Sequence, residues 1–260
     1  MRLKITFEQL RQRQIIPIDY QYYISSFIYR VIELSDSDYS KWLHDSGYIH
    51  NYNQFKFFTF SFLNVREREI LPNSMMKIIS PKIELTLSFI SDKSIQHLLA
   101  GIFQSKRMEI CYPAGKALFN IRNIEMIPDP VFSKCMRFRT ISPIVLSKSG
   151  KYKEKESKIY LNPADEGYFE YFKKNLEEKY ITFSLYNKEG IKKDTLESFN
   201  LLNTQKSKLI SIAEGKESHT YIKGYLYDFE VTGNPDMIRI GYETGFGKYS
   251  SLGFGCVKVI

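Results

Sequence analysis

The chain has 260 residues, room for one large domain or two of ordinary size, and 43% of them are hydrophobic, which excludes a disordered protein. Tyr and Phe contribute 19 residues each against a single Trp, and the aromatic fraction of 15% suffices to build real cores. A net charge of +8 points to a polyanionic partner, and the want of an apolar leader or of any apolar run near ~18 residues argues against export and a membrane span.

Residues 2–8 alternate, with Leu3, Ile5 and Phe7 on one face and Arg2, Lys4 and Thr6 on the other, as in a half-buried strand. Pro17 and Asp19 mark a helix start; Tyr20, Tyr23, Ile24, Phe27, Ile28 and Val31 then recur at helical spacing as a buried stripe. Tyr29 falls on the other side, an aromatic that the stripe does not obviously claim. Residues 35–54 are polar and turn-rich, with one short helix expected over 39–43. Residues 55–64 read as a strand with Lys56 at its mouth, and 83–89 as a second alternating strand. An amphipathic helix with Ile95, Leu98, Leu99, Ile102 and Phe103 follows, and strands at 107–111 and 117–126 close the unit. The order is βαββαβ, the ferredoxin-like pattern.

The stretch 127–133, IPDPVFS, carries two prolines and is the expected boundary between domains of residues 1–127 and 134–260. The element order then repeats. A strand is predicted at 136–146, a loop or hairpin tip at 148–158, and a helix starting at Asn162–Pro163 with Phe169, Phe172, Leu176 and Tyr180 on its apolar face. Strands at 208–213 and 221–231 come next, and Asn234–Pro235 opens a short helix. The expected fold class is therefore α+β, two tandem ferredoxin-like domains, a scaffold shared with the RRM modules that bind RNA. The phenylalanines of 55–64 carry no convincing RRM signature and read as core.

The end of the chain, GYETGFGKYSSLGFGCVKVI, holds Gly241, Gly245, Gly247, Gly253 and Gly255. It reads as a helix end, a tight loop able to lie against a phosphate backbone, and a closing strand. No strand precedes it and no P-loop lysine-plus-serine follows, so a nucleotide-binding enzyme built on this tail is a poor reading. Cys111, Cys135 and Cys256 lie far apart without Cys-x-x-Cys spacing, as expected of thiols in a reducing cytoplasm. Among four histidines, His97 sits in a helix and reads as structural, and His219 reads as a surface residue. His44 and His50 occupy the polar loop, where a group titrating near neutrality suits acid–base work.

The segment GFGKYSSLGFG resembles the C-terminal glycine-rich signature of the sixth numbered Cas family, CRISPR-associated endoribonucleases of the RAMP superfamily that cut repeat RNA. IYRVI, WLHDSGY and FKFFTFSFL are similar in order and spacing to that family's N-terminal region, DYQYYISSFIY to its first helix, and TISPIVL to the opening strand of its second domain. The resemblance implies a catalytic set of His44, Lys56 and Tyr29, with His50 as the backup. It implies an RNA-binding loop of Gly245, Gly247, Lys248, Gly253 and Gly255, and Lys151, Lys153 and Lys155 are further phosphate-binding candidates. The implied activity is cytoplasmic cleavage of precursor transcripts into crRNA by 2′-OH attack, leaving 2′,3′-cyclic phosphate and 5′-OH ends without metal or cofactor. In that chemistry His44 shuttles protons, Lys56 neutralises the developing oxyanion and Tyr29 offers a hydrogen bond. The implied partners are precursor and mature CRISPR repeat RNA and other Cas proteins of an effector complex, with the chain a monomer or homodimer and no membrane involved. The alternative is a non-catalytic RNA-binding relative or another Cas component of the same fold.

Overall fold

In the computed structural model, which describes residues 1–152, 155–188, 190 and 195–260, β1 (Arg2–Gln9) buries Leu3, Ile5 and Phe7 as its alternation predicts. Arg2 is buried as well, because the second half of the chain covers its end of the strand. The helix α1 (Gln21–Ser35) lays Ile24, Phe27, Ile28 and Val31 against the sheet. Asp36 caps the next helix, α2 (Ser37–Asp45), accepting from the Tyr39 N–H at 2.8 Å. The remaining elements of this half are β2 (Phe58–Phe60), β3 (Lys82–Phe89), α3 (Asp92–Ser105), β4 (Arg107–Tyr112) and β5 (Gly115–Ile127). They form an antiparallel sheet in the order β2-β3-β1-β5-β4. The first four positions have the ferredoxin-like arrangement, and β4 is an added edge strand.

The second half contributes β6 (Cys135–Thr140), α4 (Tyr168–Asn187), β7 (Leu196–Leu201), β8 (Asp228–Gly233), α5 (Pro235–Thr244) and β9 (Val257–Val259). Its sheet order, β7-β8-β6-β9, is again ferredoxin-like, so the tandem fold is as expected. Separate hairpins decorate both halves: Tyr48–His50 with Asn53–Phe55, Arg68–Leu71 with Met75–Ile78, Ser147–Tyr152 with Lys155–Tyr160, and Lys206–Ile212 with Thr220–Leu226. Among the described residues, no helix is long and apolar enough to cross a membrane.

Several local expectations are corrected. The strand expected over 55–64 is regular only at Phe58–Phe60, with Ser61 N–H donating to Thr86 O at 2.9 Å and an isolated bridge between Asn64 and Glu84 beyond it. It starts late because Phe57 sits at φ +52° and breaks the extended run. Phe57 instead joins the core of the second half, edge-on to Phe183 at 5.8 Å. Phe103 is 72% exposed and lies outside the core stripe of α3. Asn162–Pro163 makes a turn, closed by Ala164 N–H to Asn162 Oδ1 at 3.0 Å, and the helix begins only at Tyr168. The strand expected over 221–231 divides near Tyr227, its first part serving a hairpin and its second the main sheet.

The two halves share buried surface. Arg2 reaches across to Val257 O and Tyr242 O, each at 2.5 Å, with its guanidinium 3.6 Å from the centroid of the Tyr242 ring. Phe62 N–H donates to Ile141 O at 2.9 Å, and Thr59 Oγ1 donates to Phe254 O at 2.9 Å.

Candidate active site

The cap at Asp36 folds α2 back along α1, and Ser40 Oγ fastens the pair by donating to Tyr29 O at 2.9 Å. That return places the last turn of α2 over Tyr29. The rings of Tyr29 and His44 meet edge-on, 5.0 Å between centroids, and Tyr29 has Phe58 at 5.7 Å as another ring neighbour. Burial pushes the Tyr29 phenol well above its usual value, although its hydrogen bond to Ser251 opposes the shift. It therefore remains a hydroxyl near neutral pH. Ser251 belongs to the glycine-rich segment, so Tyr29 joins the two ends of the chain.

The His44 side chain is 66% exposed, with Nδ1 2.8 Å from Asp45 Oδ1. A carboxylate can only accept, so Nδ1 carries the hydrogen and Nε2 of the neutral ring is left to take a proton. The same hydrogen bond holds the Asp45 carboxyl below its usual range, helped by the charges of Lys41 and Lys56. Downstream, Gly47 (φ +59°) turns the chain into the Tyr48–Phe55 hairpin. A Cβ at this position would lie 2.5 Å from Phe55 O. The hairpin delivers Lys56, whose Nζ donates to His44 O at 2.5 Å. Half-burial lowers the Lys56 ammonium to about 8, with Asp45 pulling the other way. The structure thus brings Tyr29, His44 and Lys56 into one patch. His50 stands at the hairpin turn opposite Asn53. His97 contacts Ser35 at 3.1 Å and His219 contacts Ser211 at 2.8 Å, both within the scaffold.

Lys56 opens onto a cleft of about 890 Å³ between the halves, walled by the hairpin residues Asn53 and Gln54, by Ser147 and Lys148, by α4 and by the glycine-rich segment. Gly245, Gly247, Gly253 and Gly255 are all buried. Their requirement is close packing: a Cβ on Gly255 would sit 2.0 Å from Phe246 O, and one on Gly247 2.5 Å from Val145 O, both at positive φ. On Gly253 a Cβ would meet the Phe60 ring at 2.3 Å. The glycines therefore set the shape of the loop, and Lys248 is what that shape presents. The side chain is exposed, its Nζ donates to Ser147 O at 3.0 Å, and partial desolvation together with Lys158 lowers its ammonium. Of the other lysine candidates, Lys153 and the side chains of Lys151 and Lys155 lie outside the described residues.

Two participants were invisible in the sequence. Lys179, 2% exposed, donates to Gly245 O at 2.5 Å and Gly247 O at 2.8 Å, and burial lowers its ammonium to about 7. In sequence it is one more cation in KKNLEEK, on a helix whose apolar face predicts core contacts elsewhere. Asp45 follows His44 directly, a spacing at which helical neighbours point apart, so no pattern marks the pair. A search for carboxylates next to candidate histidines would have found it.

Two ferredoxin-like domains meet at a buried glycine-rich segment, and a tyrosine, a histidine and a lysine stand beside an amine-lined cleft there. The comparisons give the family. Residues 127–259 match the family profile described as CRISPR associated protein Cas6, C-terminal, and residues 15–115 match CRISPR-associated protein Cas6, N-terminal. CRISPR-associated endoribonuclease Cas6 1 of Methanocaldococcus jannaschii is 31% identical over 243 residues, covering 94% of this chain and 87% of the relative. A Pyrococcus furiosus protein named as a putative CRISPR-associated endoribonuclease-like protein Cas6 is 28% identical over 100% of this chain and 99% of its own length. The solved structure of a Cas6-related gene product from Pyrococcus furiosus superposes with a TM-score of 0.83 at 26% identity, over 100% of this chain and 98% of the other. Another, described as a RAMP protein binding different RNA substrates, gives 0.80 at 27% identity over 100% and 99%. The chain belongs to the Cas6 family.

Proposed function

We propose that this Cas6 protein is an endoribonuclease that binds CRISPR repeat RNA in the cleft and cuts precursor transcripts into crRNA without a metal ion. The observation that carries the reading is that Tyr29 and His44 pack beside Lys56, and Lys56 lines one cleft with Ser251 and Lys248 of the glycine-rich segment. RNA supplies its own nucleophile. His44 Nε2 takes the 2′-OH proton, the O2′–P bond forms, and the P–O5′ bond breaks to leave a 2′,3′-cyclic phosphate and a 5′-OH. The Lys56 ammonium offsets the charge on the phosphorane, and its lowered pKa suits it to protonate the leaving 5′-oxygen. Tyr29 stays protonated and holds the His44 ring and Ser251 in place. Lys248 binds phosphate at the cleft wall. Retention of mature crRNA, contact with other Cas proteins and a cytoplasmic location belong to the same reading.

The test is single-turnover cleavage of repeat RNA by wild type and His44→Ala. The variant should lose about 10²–10⁴-fold in rate, the usual worth of a positioned proton carrier, while its RNA affinity stays near wild type. Wild-type cleavage should persist in EDTA and vanish with a 2′-deoxy at the cut. A His44→Ala protein that cuts normally, or cutting that needs Mg²⁺, overturns the mechanism.

A further inference from the structure

The helix α4 carries Tyr171, Asn175 and Lys179 one turn apart, so three successive turns of one face line the cleft. The cleavage chemistry leaves Tyr171 and Asn175 without a task. Asn175 is 8% exposed, yet its Oδ1 has no hydrogen-bond partner. A buried, unpaired amide oxygen is unfavourable, and in the wall of a cleft it marks a place kept for a donor from outside. As an ammonium Lys179 has three N–H groups, spends two on Gly245 O and Gly247 O, and keeps one. The Tyr171 ring, 40% exposed, supplies a stacking face. An acceptor, a donor and an open ring are what the edge and face of an unstacked RNA base require. Charge decides which part of a nucleotide faces this wall. On α4 the lining charges Lys174 and Glu178 offset one another, whereas Lys56, Lys148 and Lys248 gather unopposed on the other elements of the cleft and draw phosphate there.

We propose that this face of α4 is a pocket for one unpaired base of the RNA strand beside the cut phosphate, Tyr171 stacking on it, Asn175 Oδ1 accepting from its exocyclic amine and Lys179 donating to the adjacent ring nitrogen. Adenine and cytosine fit, each with an amine beside an unprotonated ring nitrogen; uracil has no such amine. The inference rests on the endoribonuclease reading and makes it more specific.

The experiment uses full-length protein and repeat RNAs with an abasic site introduced in turn at each position flanking the cut. Wild type should show one position at which base removal weakens binding about tenfold, the size of a stacked base. Tyr171→Ala and Asn175→Ala should bind intact RNA about tenfold more weakly and pay no further loss at that position, while Tyr171→Phe keeps the wild-type profile. Because Tyr171 is exposed, its variants report even if Asn175→Ala misfolds. Abasic losses that simply add to those of Tyr171→Ala at every position overturn the pocket and leave the cleavage reading intact. A wild-type protein that neither binds nor cuts repeat RNA removes the cleavage reading itself.

Discussion

At the scale of single residues, the site is a set of ordinary groups altered by burial. Lys56 is the sharpest case. Its ammonium is lowered to about 8, so the free protein loses this cation as pH rises through that value. If Lys56 stabilises the phosphorane, cleavage measured below saturation should fall on an alkaline limb with a midpoint near 8, since sub-saturating rates report the free enzyme. Saturating RNA should move the limb upward, because a bound phosphate favours the charged amine. Lys56→Arg should remove the limb, as arginine stays protonated throughout. A limb unchanged in Lys56→Arg assigns it to another group. Tyr29 separates two roles in the same assay. Tyr29→Phe loses only the hydroxyl contact to Ser251 and should slow cleavage mildly. Tyr29→Ala also removes the ring beneath His44 and against Phe58, and should slow it considerably more. Equal effects from the two substitutions would assign the whole contribution to the hydroxyl.

At the scale of elements, the glycine-rich segment is held from outside by a helix. Gly255→Ala places a methyl group 2.0 Å from Phe246 O at φ +77°, and the backbone must move to relieve it. Thermal unfolding of the free protein should therefore drop clearly in Gly255→Ala and Gly247→Ala, and a weakened RNA affinity would follow from the displaced loop. Unfolding temperatures equal to wild type would show that these close approaches relax without cost. Lys179 gives the same packing a pH signature. Its folded value is about 7 against an ordinary 10.5, so between those limits the unfolded chain binds more protons and stability rises with pH. Denaturant unfolding from pH 7 to 10 should show that rise, and Lys179→Met should flatten it. A slope indifferent to the substitution would locate the titration elsewhere. The alternation of β1 and the stripes of α1 and α3 made the core elements legible in the sequence, because burial on one face imposes a period. Tyr29, His44 and Lys56 were legible through family resemblance, and geometry now puts them together. Lys179 and Asn175 were not, since nothing periodic distinguishes a polar residue facing a cleft from one facing water. The break at Phe57 was hidden too, because an apolar run does not reveal a residue with positive φ.

At the scale of the whole molecule, the cleft exists only while the two halves hold their mutual position. The connection 127–133 is exposed at Pro128, Asp129, Val131 and Ser133, Val131 at 91%, while Phe132 packs on Tyr242, and the first sheet ends at Ile127 and the second begins at Cys135. We propose a division there into domains of residues 1–127 and 134–260. Covalent continuity at this point is not what aligns the halves. Arg2 is buried to 2% and bonds two backbone carbonyls of the second half while covering the Tyr242 ring. Phe57 is packed in the second half's core. A site-specific protease sequence inserted between Pro128 and Phe132 should accordingly be cut without separating the fragments, which should co-elute and still cleave RNA. Arg2→Ala removes the guanidinium and strands two carbonyls, each worth about 1–3 kcal/mol when left buried without a donor. In that background the nicked protein should come apart on dilution and lose cleavage, while the intact chain, its halves still tethered at high effective concentration, retains part of it. Nicked wild type that elutes as two separate fragments would make the linker itself the element that orders the cleft. Nicked Arg2→Ala that stays whole would transfer the fastening to Phe57 and the Phe62–Ile141 and Thr59–Phe254 hydrogen bonds.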